Sequence, residues 1–532
     1  MKTIKIKITI ILAIVAMLGV TSCVNDLDVT PIDPNLLTPE TVYKDLSGYE
    51  SVVAKLYAGF ALTGQQGPAG NGDVGGVDEG FSGYIRMLWN LQELPTDEAI
   101  CAWGDFGIGP LNTLSYSAQN PFVEGLYYRL YSQIAMSNEF LRQSTDDMLS
   151  SRGQEDLKEQ VSTLRAEARF IRAFAYAHAL DLFGNVPFVL ENDDVGKELP
   201  QQIKRADLFS WLEEELKEIE PLMLPAGTSE YGRVDRGALW MLLARLYLNA
   251  EVYTGTPRWA DVVKYTEMIN NAYTFYTGDF ESMFLASNNT LDFIFTVPYD
   301  GTHMQNWGGT QFLVHSATGG DMNPALLGIN GGWGGNRVLR EAYSQFSSGD
   351  SRGLTGDKNN QVGMFFNSGT LDVSDPTQFI EGYGVMKYKN IDPDDPGLRK
   401  DFVSTDYPMM RLAESYLMYA EAYVRGGAGD QNTAVELINR IRQRAYGDNT
   451  GNIGAGALTE DFILAERGRE LFWECQRRTD LIRFNRYVSS DYLWQWKGGV
   501  EDGAPVNAKY KVYPIPAKDL NANPNLVQNA GY

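Results

Sequence analysis

The sequence predicts a mainly α-helical protein built from tetratricopeptide-type helical hairpins and interrupted once by a loop-rich insertion with a few short strands. Two observations carry that expectation. Apolar residues recur at three- and four-residue steps over 121–146, 153–183, 205–223, 235–249 and 258–271, and again over 407–425, 432–446 and 459–487, which is the period of one buried helix face. Between the two groups, residues 274–405 are rich in Gly, Asn, Asp and Thr and hold only short apolar runs such as 293–297. Successive helices of this length on short connections suggest stacked hairpins, although no strict 34-residue signature repeats.

The N-terminus reads as an export signal. Lys2, Lys5 and Lys7 precede an uncharged, mostly apolar run from Ile8 to Val20, and Val-Thr-Ser-Cys follows at 20–23. That run is far short of the ~20 residues a spanning helix needs, so 1–22 is expected to be a removable signal peptide. An apolar residue, two small residues and Cys23 resemble a bacterial lipobox, which implies lipidation of Cys23. Residues 23–42 are rich in Pro and Asp and are expected to be a tether. The first helix is expected at 43–60, opening the 43–532 domain. Residues 64–83 hold eight glycines and one proline, so they are expected to be a surface loop.

Composition narrows the function. The formal charge is −23, with 68 acidic against 45 basic side chains, which excludes a nucleic-acid partner. Besides Cys23 there are only Cys101 and Cys475, too few for a disulfide framework and without metal-ligand spacing. The three histidines, His178, His303 and His315, fit neither a zinc site nor a Ser/His/Asp arrangement. The GGWGG segment at 331–335 lacks the context of a phosphate loop. With so many carboxylates, a glycosidase pair cannot be read without geometry. A neutral ligand is the better expectation: ten Trp and 29 Tyr exceed what a core needs, and a flat ring buries the C–H face of a sugar while polar groups bond its hydroxyls. Trp103, Trp307 and Trp333 sit beside Gly104, Gly308, Gly332 and Gly334 in loops and are candidates for that role. Trp211 and Trp240 read as core residues, and Trp89 and Trp494 as packing residues. The charges at 467–480 are spaced as ordinary surface pairs on one C-terminal helix.

Several separated motifs, in order, resemble the SusD/RagB family of outer-membrane nutrient-binding lipoproteins: RAEARFIRAFAYAHALDLFGNVPFV (165–189), RLAESYLMYAEAYVRGG (411–427), INRIRQRA (438–445), ERGRELFWECQRRTDLIRF (466–484) and the YPIP…NPNLVQNAGY ending. DEGFSGYIR (78–86), ELPTDEAICAWGD (93–105) and NWGGTQFLV (306–314) are similar to segments of its starch-binding members. The resemblance implies a SusD-like fold and a non-catalytic protein, lipid-anchored at the outer face of a Gram-negative outer membrane. It further implies a partner TonB-dependent SusC-type transporter and other surface glycan-binding lipoproteins. The implied ligand is a neutral polysaccharide or oligosaccharide, starch-type α-glucan first, with levan or another neutral glycan as the alternative. A structural transporter subunit with a vestigial sugar site is a further alternative. Carried over residue by residue, the sugar site falls on Trp103, Trp307 and Trp333, with Arg86 and Asp78 nearby. Trp307 stands where the starch-binding members place a tyrosine. Phe106 stands where they place a sugar-contacting asparagine. The same likeness implies a calcium ion near Asn288 and Asp406, and no required cofactor.

Overall fold

The computed structural model describes residues 38–532 except 69, 194–195 and 290–292. The signal segment, Cys23 and most of the 23–42 tether therefore lie outside the described residues. Helix exceeds strand, 48% against 7%, as the periodicity predicts. Among the described residues, no helix is long and apolar enough to cross a membrane.

Helix α1 (Leu46–Ala61) starts where the Asp45 carboxylate accepts from the Gly48 amide, and it buries Tyr49, Val53, Leu56 and Phe60. After the glycine-rich loop, α2 (Tyr84–Gln92) is buried along almost its whole length. Helix α3 (Pro121–Gln143) begins with proline, and the Asn120 side chain accepts from the amides of Phe122 and Val123; both features stabilise a helix start. Helix α4 (Lys158–Phe183) packs on α3 and on α1, and α5 (Arg205–Ile219) packs on α4. Helices α6 (Arg236–Leu248) and α7 (Trp259–Ala272) form the next pair. These are the expected hairpins.

The insertion leaves after α7. Short strands punctuate the chain: β1 (Ile100–Cys101), the hairpin pair β2 (Val186–Pro187) and β3 (Gln202–Ile203), β4 (Phe293–Val297), β5 (Asn336–Arg337), β6 (Thr355–Asp357), β7 (Asn360–Gly363), β8 (Phe365–Phe366), β9 (Gly384–Val385) and β10 (Tyr407–Arg411). Strand β10 runs antiparallel to β4, with Tyr407 opposite Val297 and Arg411 opposite Phe293, so the two ends of the insertion are stitched together. Its interior holds a four-stranded sheet, order β7-β6-β8-β9, and a buried helix, α8 (Gly309–Ser316), that the sequence reading did not anticipate. Helix α9 (Leu412–Gly426) then packs back on α7 and pairs with α10 (Gln431–Tyr446). The scaffold thus continues across the insertion as though uninterrupted.

The C-terminal segment corrects the sequence reading twice. The expected single helix over 459–487 is two, α11 (Glu460–Glu470) and α12 (Arg477–Arg483). Between them Trp473 and Cys475 both take φ +61°, a left-handed conformation that costs energy in a non-glycine residue. Glu98 holds the turn: its carboxylate accepts from the Trp473 amide and its carbonyl from the Trp473 indole, each at 3.0 Å. The second correction is that the charges here are not surface pairs. Glu466, Glu470, Arg467, Arg477, Arg478 and Asp480 are all buried. Glu470 accepts from Arg411 at 2.6 Å, from Arg352 at 2.9 Å and from Arg444. Glu466 accepts from Arg352 at 2.8 Å, Arg442 at 2.8 Å and Arg469 at 2.6 Å. Arg352 comes from the insertion, Arg411 from β10 and Arg442 and Arg444 from α10, so the network joins insertion to scaffold. The surrounding arginines outweigh desolvation and hold the Glu466 carboxyl down at about 2, with Glu470 lower still.

Candidate functional site

The three candidate tryptophans come from segments far apart in sequence, and the insertion brings them together. Strand β1 pairs with β5, Ile100 opposite Arg337, and the Ala102 amide donates to the Gly335 carbonyl at 2.9 Å. This lays CAWG beside GGWGG. The Trp103 indole N–H donates to the Trp333 carbonyl at 3.1 Å, and its ring lies over Gly335, where a Cβ would come within 2.4 Å of it. Gly335 is therefore required by the close approach of the indole. Trp307 directly precedes the turn into α8, and the Trp333 amide donates to the carbonyl of His315 on that helix at 2.7 Å. Helix α8 is the hub that all three share.

The rings form a continuous strip. Centroids lie 6.4 Å apart for Trp103 and Trp333, 6.2 Å for Trp333 and Trp307, and 5.0 Å for Trp307 and Phe402. Interplanar angles of 44°, 62° and 39° tilt each face relative to the next, so the arc of rings is not a flat platform. The three tryptophans are half-buried, unlike Trp89 and Trp494, which are fully enclosed as expected. Trp211 and Trp240, expected as core residues, are only partly buried, packed at the edge of the core.

Arg86, on α2, supplies the charged edge. Its Nη1 donates to the carbonyls of Gly80 at 3.0 Å and Trp307 at 3.3 Å, while its guanidinium lies 5.6 Å from the Trp103 ring centroid and 4.7 Å from that of Phe312. Burial pushes its pKa down to about 10, partly offset by Asp105 and Asp78, so it stays charged at neutral pH. Among the described residues its buried Nε has no hydrogen-bond partner. Asp78 lies outside the strip: its carboxylate accepts from the Gly80 amide at 2.7 Å and so shapes the loop whose carbonyl Arg86 holds. Phe106 also stands apart, 75% exposed.

Sequence reasoning missed two members. Phe402, itself buried, backs Trp307, and α8 places it: Gln311 donates to the Asp401 carbonyl and accepts from the Val403 amide, both at 2.9 Å. His315 lies under Trp333, rings stacked at 4.9 Å and 25°. Its imidazole is buried, and burial pushes its pKa down to about 4, partly offset by a hydrogen bond to the Gly331 backbone. Neither residue has a glycine neighbour to mark it.

Asn288 and Asp406 do meet. The Asn288 amide group donates to the Asp406 carbonyl at 3.1 Å and its oxygen accepts from the Asp406 amide at 3.3 Å. The Asp406 carboxylate accepts from the Tyr299 amide at 2.8 Å and from the Tyr231 hydroxyl, and burial raises its pKa to about 6. A calcium ion takes six to eight oxygens at once. One carboxylate and one amide whose oxygens already accept hydrogen bonds do not fit it, and the arrangement ties β10 to the preceding loops instead.

Fold and site together define a helical-hairpin protein that presents an aromatic face where its insertion meets the loop carrying Trp103. Comparison with known proteins places it more closely. The model of the SusD family matches residues 258–532. Over the whole of both chains it is 34% identical to the starch-binding protein SusD of Bacteroides thetaiotaomicron. Among solved structures it is similar to surface glycan-binding protein A from Bacteroides fluxus, with TM-score 0.70 and 21% identity over 92% of this chain and all of that one. It is also similar to surface glycan-binding protein A from Bacteroides thetaiotaomicron in complex with laminarihexaose, with TM-score 0.68 and 20% identity over 91% and 99%. The chain belongs to the SusD family.

Proposed function

We propose that the protein captures a neutral glycan at the cell surface, starch-type α-glucan first, and passes it to a TonB-dependent SusC-type transporter without making or breaking a bond. The observation that carries this reading is the arc of half-buried Trp103, Trp333 and Trp307, backed by Phe402, whose neighbouring rings are tilted against one another, with Arg86 at its edge for hydroxyl groups. The relative named for starch binding, similar over the full length, supports the choice of α-glucan. Asp401, the carboxylate beside Phe402, is bound by Arg399 at 2.6 Å and held below its ordinary range, which suits an acceptor and not the protonated acid of a glycosidase. Attachment is by lipid on Cys23 at the outer membrane, and repeated weak contacts by neighbouring copies supply avidity.

An affinity-gel panel of amylopectin, laminarin, levan, dextran and xylan tests the ligand. Retardation by amylopectin that is lost in Trp333→Ala is the expected result. Retardation by levan alone would move the ligand to fructan. No retardation, with co-purification of the transporter intact, would leave a structural subunit.

A further inference from the structure

We propose that the groove between α1 and the 298–304 loop is a second glycan-contact site, which takes further units of the chain held by the tryptophan arc and uses Tyr231 as its stacking face. It rests on the glycan-binding reading above. The groove encloses about 410 Å³ and is lined by Tyr57, Tyr231, Pro298 and Met304, with Glu50 and Glu230 at its rim.

Position links it to the arc. The loop from Pro298 to Trp307 has two flanks. On one, Trp307 packs on Phe402 at 5.0 Å, and Gly301 lies so close to the Phe402 carbonyl that a Cβ would meet it at 2.3 Å. On the other, Pro298 and Met304 form a wall of the groove. Met304 and Trp307 are three residues apart, at most about 10 Å of chain. The same short loop therefore borders both the Trp307 end of the arc and the groove.

The lining has the chemistry of the arc: ring faces below, polar groups at the edge. Tyr231 is 49% exposed, yet its ring is fixed, because its hydroxyl donates to the buried Asp406 carboxylate. The Tyr57 hydroxyl donates to Glu167 at 2.6 Å and accepts from the Val234 amide at 3.1 Å. Gly232 holds Tyr231 in place with φ +78° and a Cβ position 2.6 Å from Pro298, a conformation that favours glycine. Two rings whose rotamers are set before binding lose little further freedom when a sugar stacks on them. The rim also suits a neutral polyhydroxyl chain, since the Glu50 and Glu230 carboxylates accept from its hydroxyls.

The test is calorimetric titration of the full-length protein with an oligosaccharide series of whichever panel glycan is retained, from three units upward. Tyr231→Ala and Ala54→Trp are compared with wild type; the second blocks the groove from an exposed position of α1 and leaves the Tyr231–Asp406 bond alone. Both variants are expected to match wild type on the shortest ligand and to bind the longest roughly two- to ten-fold more weakly, the range of one lost aromatic contact. Equal affinity of all three proteins at every length overturns the groove site while leaving the arc intact. Trp333→Ala, by contrast, is expected to fail at every length. A wild-type protein that binds no glycan of any length overturns both readings together.

Discussion

The buried ion network of the C-terminal helices and the aromatic arc lie in the same chain but are built on opposite terms. In the network each carboxylate is claimed several times over: Glu470 by Arg411, Arg352 and Arg444, and Glu466 by Arg352, Arg442 and Arg469. In the arc the polar groups serve to place rings: Arg86 Nη1 donates to the carbonyls of Gly80 and Trp307, and the Trp103 indole donates to the Trp333 carbonyl. The first arrangement fixes the insertion against the scaffold. The second leaves three tryptophan rings only half-buried, open on one side to solvent.

That contrast is sharpest in what each region loses when one member goes. Glu470→Ala is expected to have the largest effect of any change considered, about 3–5 kcal/mol, because three arginines are left facing one another without their carboxylate. The measurement is the urea midpoint, and the affinity per folded molecule should be unchanged. A shift below about 1 kcal/mol would mean that water enters and screens the arginines. Trp333→Ala should do the reverse. It removes the centre of the arc, so affinity should fall at least ~30-fold, the scale of a binding hot spot, while the folded state persists by circular dichroism. Retained binding would show that Trp103 and Trp307 act as separate platforms.

Acid separates the two regions by where they titrate. His315 is held at about 4 by burial, below its ordinary 6.5, so the folded state prefers its neutral form. The stability this gives is complete above pH 6.5 and is lost as pH falls toward 4. The network lies lower: Glu466 drops from 4.5 to about 2 in the fold, so its contribution is complete above pH 4.5 and is lost as pH falls toward 2. Folding stability should therefore start to fall before the network breaks, while the folded protein keeps His315 neutral, and with it its glycan affinity, until the pH nears 4. His178, in the helical core and held at about 3, also resists protonation from pH 6.5 downward, so wild type alone does not isolate the arc. His315→Phe does: it keeps a ring under Trp333, and its stability should fall less than that of wild type between pH 6.5 and 4, measured as the urea midpoint against pH. An acid profile identical to wild type would remove His315 from the account.

How far each region was legible in the sequence follows from the range of its interactions. The helices were readable because a buried face repeats every three or four residues, a local signal that α4 shows over 26 residues. The tryptophans of the arc were marked by glycine neighbours. Phe402 and His315 were not, since what places them is α8, a short helix buried all round and so without a polar face to show its period. The network was misread for a related reason. Within 466–480 the spacing of charges is the same for a surface helix and for a buried one. The difference lies in Arg352, Arg411 and Arg444, which stand 118, 59 and 26 positions from Glu470. Local spacing shows which charges could pair along one helix. It does not show which distant side chains enclose them.

Phe106 gives the finest test of the contrast, because it belongs to neither region. It is 75% exposed, so replacing it disturbs no core, and Phe106→Asn should change stability by no more than about 0.5 kcal/mol. Resemblance to the starch-binding members implies a sugar-contacting asparagine here. If α-glucan is the ligand, restoring that side chain should add one hydrogen bond, worth up to about 1 kcal/mol, or roughly five-fold in affinity for amylopectin. If the chain is instead tuned to another glycan, the phenyl ring is itself the contact. The same substitution should then weaken retention on that glycan and leave amylopectin unmoved. Comparing Phe106→Asn on amylopectin and levan gels therefore reports the ligand through the sign of a small change, at a position where the fold is indifferent to the outcome.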